Sequence, residues 1–484
     1  MEPHESIARD AAPIRIAICG GGAGAVLALQ ALRQQARRVV DVTILEPRPV
    51  LGVGVAYSTP SPVHLLNTRA CNMSVTENPD DFVRWLRTER PRRILNWTRD
   101  DFAPRAYFGE YLQARVHEAS AASHVNVRWL RDPVDAVKRT GDCWEIIPGH
   151  GDAIPADAVI LATGNERPRP IARDLPPAAR SLVIEDPWDV EQKAAIPQDA
   201  PVLLAGTGLT AVDIALELIH RGHKAPITAI SRHGLLPRPH GPLAPAREGL
   251  LNALPSSVRA LVRHLREVTA NDPGGEKWRR VFTDLRGITP SLWRGLSVTE
   301  RRRFLRHLRT IWDVHRHRIP PLIHSRLQRA IAARRLKIVR GRIVAIEPAD
   351  SRSLRVVTAS RGASRVFHVA RVVNCTGPEL NPANSSNPLL QGLVLDGVAR
   401  LDALGLGLAV DAESRVIGAN GSAHATLFAL GALTRGTRWE ISAIPEMRDQ
   451  ANAVARQLLQ TFERGRARAS AAASRADGSL RMSA

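Results

Sequence analysis

The chain has 484 residues, of which 44% are hydrophobic and 24% charged, so it can bury substantial cores in about two to four domains. The chain has four scattered cysteines, Cys19, Cys71, Cys143 and Cys375, which exclude a disulfide framework and a zinc site and indicate a reducing compartment. Because no two of them form a CxxC pair, the sequence also argues against a dithiol reductase. The net charge of +20 is almost entirely arginine spread along the chain, which is typical of genomic base-composition bias rather than of a nucleic-acid-binding surface.

The N-terminal segment, residues 1–13, carries charges but lacks the apolar core of a signal peptide. No uncharged stretch of the sequence reaches the length that a membrane-spanning helix needs. We therefore expect a cytoplasmic protein without a membrane partner.

A dinucleotide fingerprint follows the first predicted strand, residues 14–19. It reads Gly20-Gly21-Gly22-Ala23-Gly24-Ala25 and precedes a predicted helix at residues 26–32. Its glycines let the chain turn, let the backbone approach a pyrophosphate and let the helix pack on the strand. About 20 residues further on, Glu46 ends the next strand, where its carboxylate can accept hydrogen bonds from a ribose diol. We interpret this site as one for FAD.

A second fingerprint, Gly206-Thr207-Gly208-Leu209-Thr210-Ala211, lies between a predicted strand at 201–205 and a helix at 212–219. Two such motifs in one chain are typical of flavoproteins that bind FAD in one domain and a nicotinamide cofactor in the other. The strand at 227–230 ends in Ser231-Arg232-His233, with no carboxylate to repel a 2′-phosphate and a guanidinium able to bind one. This favours NADPH over NADH, although Arg232 could also be a solvated loop arginine.

The pattern predicts an α/β fold with two Rossmann-like domains and an inserted helical subdomain. The apolar strands at 159–164, 372–377 and 427–431 each run into a glycine, namely Gly164, Gly377 and Gly431. We place the FAD domain at 14–165 and 344–460, the NAD(P) domain at 195–343 with a helical insertion at 244–335, and a disordered tail, rich in Arg, Ala and Ser, at 464–484.

The helical insertion contains one apolar face with helical spacing, formed by Phe304, Leu308, Ile311, Trp312 and His315. This face places His315 inward, either as a hydrogen-bonded core histidine or as a substrate contact. The residues after it, 316–318, either form an anion site at the helix end or cap its carbonyl groups.

Several motifs together resemble the bacterial FAD/NAD(P)-binding proteins grouped with FAD-dependent urate hydroxylase and aspartate N-monooxygenase. The resemblance covers about residues 14–460 and rests on Gly52-Val53-Gly54-Val55-Ala56-Tyr57, His64-Leu65-Leu66-Asn67, Asn72-Met73-Ser74, Pro104-Arg105, Tyr111-Leu112, residues 206–213, Ser231-Arg232, Leu236-Pro237, residues 303–307 and 312–318, Trp439-Glu440 and Pro445-Glu446. One departure is that the usual Gly-Asp pair beside the FAD ribityl chain stands here as Gly431-Ala432, so that ribityl contacts must come from elsewhere.

The resemblance implies a monooxygenase in which NADPH reduces FAD and the reduced flavin reacts with O2, without a protein nucleophile or a metal. His64 and Asn67 are candidates for the flavin edge or the substrate pocket, or they stabilise a turn. Arg105 and Arg69 could pair with a small anionic substrate, or they are solvated surface residues. Trp439 and Glu440 either close the other side of the flavin ring or pack the second part of the FAD domain.

These inferences give catalytic candidates His64, Asn67 and Arg105. The residues expected to bind the two cofactors are Gly20, Gly22, Gly24, Glu46, Gly164, Gly206, Gly208, Thr210, Ser231, Arg232, Gly377, Gly431 and Trp439. We expect the enzyme to hydroxylate a small polar, anionic molecule such as urate. Two alternatives are that it hydroxylates the nitrogen of an amino acid, or that it is an NADPH-dependent reductase that passes electrons to a partner or acceptor. The oligomeric state stays open.

Overall fold

The computed structural model describes residues 12–92, 96–246, 254–360 and 362–481, and for residues 467–481 the backbone alone. The expectation for the N-terminal segment therefore falls almost entirely outside the described residues. Within them, no helix combines the length and the apolar character needed to cross a membrane.

The strands alternate with helices along most of the described chain. The strands are β1 (Ile14–Cys19), β2 (Val40–Leu45), β3 (Val125–Leu130), β4 (Val134–Thr140), β5 (Cys143–Pro148), β6 (Ile154–Ala156), β7 (Ala158–Leu161), β8 (Val183–Ile184), β9 (Val202–Ala205), β10 (Ile227–Ser231), β11 (Leu336–Arg340), β12 (Arg342–Pro348), β13 (Leu354–Ser360), β14 (Ala363–Val369), β15 (Arg371–Asn374), β16 (Arg415–Ile417) and β17 (Ala423–Ala429).

The helices are α1 (Ala23–Gln35), α2 (Gly54–Tyr57), α3 (Asp81–Glu89), α4 (Arg105–Ser120), α5 (Pro177–Arg180), α6 (Val190–Ala194), α7 (Leu209–His220), α8 (Val258–Val268), α9 (Glu276–Gly295), α10 (Val298–His307), α11 (Arg309–Arg316), α12 (Pro321–Ala332), α13 (Pro388–Leu395) and α14 (Ile444–Arg481). Short 3-10 segments lie at Ala70–Asn72, Pro382–Asn384 and Gly431–Thr434.

Two mainly parallel sheets form the framework, as predicted. The first has the order β16-β17-β7-β1-β2-β3, in which only β16 runs antiparallel to its neighbour. The second has the order β11-β10-β9-β15-β8 and is parallel throughout. Their central strands β7 and β9 are continuous apolar runs because both faces of each sheet are covered. Two antiparallel meanders, β4-β5-β6 and β12-β13-β14, are attached to this framework.

The boundary between the two halves differs from the prediction. β15 does not join the first sheet but pairs with β9, with Val372 opposite Leu203. The meander β12–β14 precedes β15, so the second half of the fold extends through Asn374 rather than ending at residue 343. The cause is local similarity, since β7 and β15 are both short apolar strands followed by a Thr-Gly turn.

The helical insertion is shorter than predicted. Helices α8 to α11 form it, and they share an apolar cluster with Leu406 and Trp439 from the later part of the chain. Helix α12 instead packs on the second sheet through Ile323, Leu327 and Ala330, so it is the crossover helix that leads into β11. The predicted apolar face at 304–315 spans two helices, because α10 ends at His307 and α11 begins at Arg309.

The C-terminal helix α14 packs against α1 in the first core through Val454, Ala455 and Leu458. Its backbone continues to Arg481, where the composition predicted disorder from residue 464; residues 482–484 lie outside the described chain. Arg and Ala are strong helix formers, so a segment with few apolar residues can still extend an anchored helix.

Candidate active site between two nucleotide clefts

The first fingerprint forms a tight turn at the carboxyl end of β1. Gly20 has φ +104°, and a Cβ at this position would lie 2.5 Å from the carbonyl oxygen of Ala162, which follows β7. Gly22 is the N-cap of α1, so the free N–H groups of the first turn face the space beyond the sheet. Gly24 packs on the side chain of Ala162. The turn therefore presents a helix N-terminus to an anion.

Glu46 follows β2 and is buried beside this turn. Its Oε2 accepts a hydrogen bond from the Gly21 N–H at 2.8 Å, and its Oε1 accepts one from the Arg48 N–H at 3.1 Å. Two backbone donors thus fix the carboxylate next to the fingerprint. This orientation fits the ribose contact that the sequence suggests.

Two further turns at the same edge of the sheet leave room for FAD. Gly164, after β7, has φ +81° and open space around its α-carbon. Beside it, the Thr163 hydroxyl is buried without a hydrogen-bond partner among the described residues. Gly431 has φ +62°, and its N–H donates to Gln450 Oε1 at 2.9 Å. A bound dinucleotide would give the Thr163 hydroxyl a hydrogen-bond partner and would fit against the open turn at Gly164.

The second fingerprint repeats this construction at the end of β9. Gly206 has φ +135°, and a Cβ there would overlap the carbonyl oxygen of Cys375, which follows β15. Gly208 is the N-cap of α7 and has no atom within 4 Å of the position of an added Cβ. A cleft of about 1010 Å³ opens in front of it; its lining includes Thr210, Ser231, Arg232, Arg306, Arg342 and Gly377. Gly377 therefore lies at the second nucleotide cleft, whereas the sequence pattern places its strand in the FAD domain.

Arg232 should decide which nicotinamide cofactor binds in this cleft. It lies exposed directly after β10, where Arg342 lines the same space. Arg232→Ala should weaken NADPH binding by about 1.5–3 kcal/mol and leave NADH nearly unchanged, because only NADPH offers a 2′-phosphate for a charge-assisted bond. Titration calorimetry with NADP+ and NAD+ measures both losses.

The control is Arg355→Ala, which removes an exposed arginine paired with Glu347 outside the cleft. Equal losses for the two nucleotides, or an original preference for NADH, would contradict the assignment of Arg232.

A third pocket, the junction pocket, lies between the two nucleotide sites. It measures about 250 Å³ and shares Gly208, Arg309 and Asp313 with the large cleft. It shares Arg435 with a small cavity beside Gly164 and Ala432 on the FAD side. The junction pocket is therefore where a reduced nicotinamide, a flavin and a substrate could meet.

The junction pocket contains charges of both signs. Glu440 accepts hydrogen bonds from Trp312 Nε1 at 2.5 Å and from Arg316 Nε at 2.7 Å, and it has φ +69°. Asp313 lies 3.6 Å from Arg309 and 3.7 Å from His317. Burial raises the pKa of both carboxyl groups and lowers the pKa of His317 to about 4. Burial also lowers the pKa of the Arg435 guanidinium to about 10.

The catalytic candidates of the sequence analysis lie elsewhere. His64 has no exposed surface; its Nδ1 accepts from the Thr59 hydroxyl at 2.7 Å and its Nε2 faces the carbonyl oxygen of Asp213 at 3.2 Å. Arg105 pairs with the Asp213 carboxylate at 2.6 Å. These contacts join the first half of the chain to α7, which argues against a place at the flavin edge.

The other two predicted loop residues are partly exposed. Arg69 pairs with Asp100 at 2.5 Å, so the two arginines proposed for an anionic substrate each have a carboxylate partner. Asn67 is half-buried, and its carbonyl oxygen accepts from His240 Nε2 at 2.9 Å, which leaves its amide as a candidate for the flavin edge.

His64 should make the fold sensitive to acid. Burial, with the nearby charges of Arg105 and Lys193, lowers its pKa to about 3. Because the folded pKa lies below the usual value of about 6.5, the unfolded chain binds a proton that the folded chain does not, and stability falls as the pH drops through 6.5. Between pH 6.5 and 5.5 the wild type should lose about 1 kcal/mol more unfolding free energy than His64→Asn. Identical pH profiles in chemical unfolding would refute this.

The charged residues of the junction pocket were missed as a group. Asp313 and His317 belong to a polar, tryptophan-containing stretch at 312–318 that the resemblance marked, but Arg435 lies in an ordinary Thr-Arg-Gly turn. Trp439 was expected near the flavin, and it lines the junction pocket. The helical spacing of this stretch does indicate that Asp313 lies away from the apolar face, but it gives no sign of a pocket there.

Comparison with known proteins agrees with this arrangement. Residues 17–166 match a protein family described as FAD-NAD(P)-binding. The chain is similar in structure to the ornithine N-hydroxylase of Kutzneria sp. 744, solved with reduced FAD, NADP+ and L-ornithine, at 16% identity and a TM-score of 0.63 over 93% of this chain and 99% of that one. No curated protein sequence matches this chain.

Two further structures resemble the chain over 93% of its length. The L-lysine 6-monooxygenase of Pseudomonas syringae is 18% identical, with a TM-score of 0.61 and complete coverage of its own chain. The cadaverine monooxygenase of Erwinia amylovora, solved with FAD, is 13% identical, with a TM-score of 0.57 and 95% coverage. Residues 17–166 are thus similar to an FAD-NAD(P)-binding family, and the chain has the same fold as these three enzymes.

Proposed function

We propose that the chain is an FAD-dependent, NADPH-using monooxygenase that hydroxylates the nitrogen of a small amine or amino acid. The observation that carries the proposal is the junction pocket, which connects the two nucleotide sites and contains both carboxylates and guanidinium groups. Its size suits a small molecule, and its charges suit a zwitterion better than a simple anion such as urate. The similar solved structures named above, which act on ornithine, lysine and cadaverine, support the amine.

FAD, held by the glycine turn at the start of α1 and by Glu46, would supply the redox chemistry between NADPH and O2. The overall reaction consumes an amine, O2, NADPH and a proton, and yields a hydroxylamine, water and NADP+. The pocket residues bind and orient the amine and keep water out while this takes place.

The protein's own proton chemistry centres on Asp313. An amine must lose its proton before its nitrogen lone pair can react, and a carboxylate with a raised pKa is a stronger base than an ordinary one. Arg435, which also lines the pocket, can hold a substrate carboxylate. The His317 imidazole stays neutral at pH 7, since its pKa is about 4, and can accept a hydrogen bond.

The test follows NADPH oxidation and the mass of the product with L-ornithine, L-lysine, cadaverine, L-aspartate, urate and no addition. We expect at least one amine to accelerate NADPH oxidation and to gain one oxygen atom. Asp313→Asn should retain flavin reduction by NADPH but lose coupled product, by about 100-fold as is typical when an acid–base group is removed. Coupled turnover with urate alone would overturn the amine proposal.

Turnover that depends only on an added electron acceptor would favour the reductase alternative. No CxxC pair exists in the sequence, so that alternative would have to work without a redox dithiol.

A further inference from the structure

A second cavity, partly open to solvent, lies at the helical insertion, and neither nucleotide site needs it. Helices α8 to α11 and Trp439 line a volume of about 260 Å³. Six aromatic side chains line it, namely Trp278, Phe282, Trp293, Phe304, Trp312 and Trp439. Only 4% of the chain is aromatic, and four of its nine tryptophans meet here. Apolar cavities well below this size bind benzene, so there is room for a ring-sized group.

Aromatic contacts and hydrogen bonds hold the cavity walls. Trp293 stacks on Trp439 with ring centroids 4.8 Å apart, and Phe282 lies 5.2 Å from Trp312. The indole N–H of Trp293 donates to the Gly436 carbonyl oxygen at 2.8 Å, and that of Trp312 donates to Glu440. These bonds resist collapse of the walls into the empty space, which would otherwise be favourable.

The electrostatics favour an uncharged apolar occupant over a cation. No carboxylate lines the cavity among the described residues. Arg279 and Arg318 lie over the Trp278 ring at 5.1 and 5.7 Å, and Arg301 lies over Trp293 at 5.5 Å. The ring faces that could attract a cation are therefore already flanked by positive charge.

The cavity and the junction pocket meet at Trp439, which is the residue that their linings share. Trp312 and His315 face the cavity, Arg309 and Asp313 face the junction pocket, and Trp439 lines both. Trp439 is buried, and its Nε1 has no hydrogen-bond partner among the described residues. A ligand that reaches from one space into the other would pass this unsatisfied donor.

We propose that the substrate is an amine carrying a ring-sized apolar group, with the ring in the helical cavity and the amino group in the junction pocket. This inference rests on the proposed function and adds the class of side chain that the substrate carries. A long, flexible diamine would leave the aromatic cavity empty, whereas an arylalkylamine fills both spaces.

Direct binding tests the inference without turnover. Calorimetry on the FAD-loaded protein without NADPH compares 2-phenylethylamine, ethylamine, indole and tetramethylammonium. 2-Phenylethylamine should bind at least about tenfold more tightly than ethylamine because its ring leaves water, and indole should compete with it. Equal affinity of the two amines, absence of competition by indole, or preferential binding of tetramethylammonium would overturn the proposal.

A matched pair of variants locates the ring. Leu265→Trp fills the cavity, and Leu395→Trp makes the same change at a site that is 83% exposed, outside the cavity. Only Leu265→Trp should weaken 2-phenylethylamine and indole, by about tenfold or more, while ethylamine stays unchanged. Equal affinities in the two variants would place the ring elsewhere. If Leu265→Trp does not fold, the competition by indole in the wild type decides.

The two proposals can fail separately. If the ring probes bind as expected but no amine gains oxygen, the cavity remains a ligand site and the monooxygenase function fails. If ornithine or cadaverine is hydroxylated while the ring probes do not bind, only the ring-sized side chain is wrong.

Discussion

Replacing Asp213 by alanine should lower the free energy of unfolding by about 3–5 kcal/mol, because it leaves the Arg105 guanidinium buried without its carboxylate. The two side chains lie 2.6 Å apart and are only 10% and 13% exposed. They join the first half of the chain to α7 of the second. A second buried pair, Lys193 with Glu217 at 2.7 Å, lies beside them.

The control for this prediction is Arg69→Ala. Arg69 and Asp100 form a pair of the same chemistry at 2.5 Å, but their side chains are 36% and 72% exposed. Solvent screens such a pair, and its loss should change stability by about 1 kcal/mol or less. The double variant Asp213→Leu with Arg105→Met should recover most of the stability, since no unpaired charge remains. Chemical unfolding measures all three, and equal losses for Asp213→Ala and Arg69→Ala would refute the argument.

These two arginines also show where sequence reasoning stops. Arg69 and Arg105 looked alike in sequence because both flank the loop that contains His64 and Asn67. Their different environments come from long-range contacts, since Asp213 is 108 residues from Arg105. A buried polar cluster and a catalytic cluster contain the same residue types, and only burial separates them.

The nucleotide sites were predictable because their signal is local. A strand, a glycine turn and a helix occupy about 20 consecutive residues, so the whole signal lies in one short stretch of sequence. Sheet membership is not local. β7 and β15 have the same pattern, and only the pairing of β15 with β9 places Gly377 beside the second fingerprint.

The junction pocket could not be assembled from spacing. Asp313 comes from the helical insertion, Arg435 and Glu440 from the segment before α14, and Gly208 from α7. No periodicity connects these positions. The face at 304–315 was predictable as apolar, but the empty space behind it depends on how α8 and α9 pack against it.

The largest losses of cofactor binding should come from placing a side chain at the N-terminus of α1 or of α7. Gly22→Val should reduce FAD occupancy and Gly208→Val should weaken NADPH, each by about 100-fold or more, because the side chain keeps the pyrophosphate from two or more backbone N–H donors. A Cβ on Gly22 would already lie 3.4 Å from the Gly54 backbone, whereas Gly208 has free space around it. Gly208→Val should therefore fold normally and lose only its ligand.

The two variants control each other. Gly22→Val should retain NADP+ binding, and Gly208→Val should remain yellow with full FAD occupancy, so that each cofactor is assigned to one fingerprint. Gly24→Ala is the tolerated control, because its new methyl group would meet the Ala162 side chain at an ordinary 3.6 Å. The flavin absorbance of the purified protein measures the first cofactor, and calorimetry with NADP+ measures the second. Full FAD occupancy in Gly22→Val, or loss of FAD in Gly208→Val, would contradict the assignment, because the two turns share one construction and differ in the residue after the next strand, which is Glu46 at one site and Arg232 at the other.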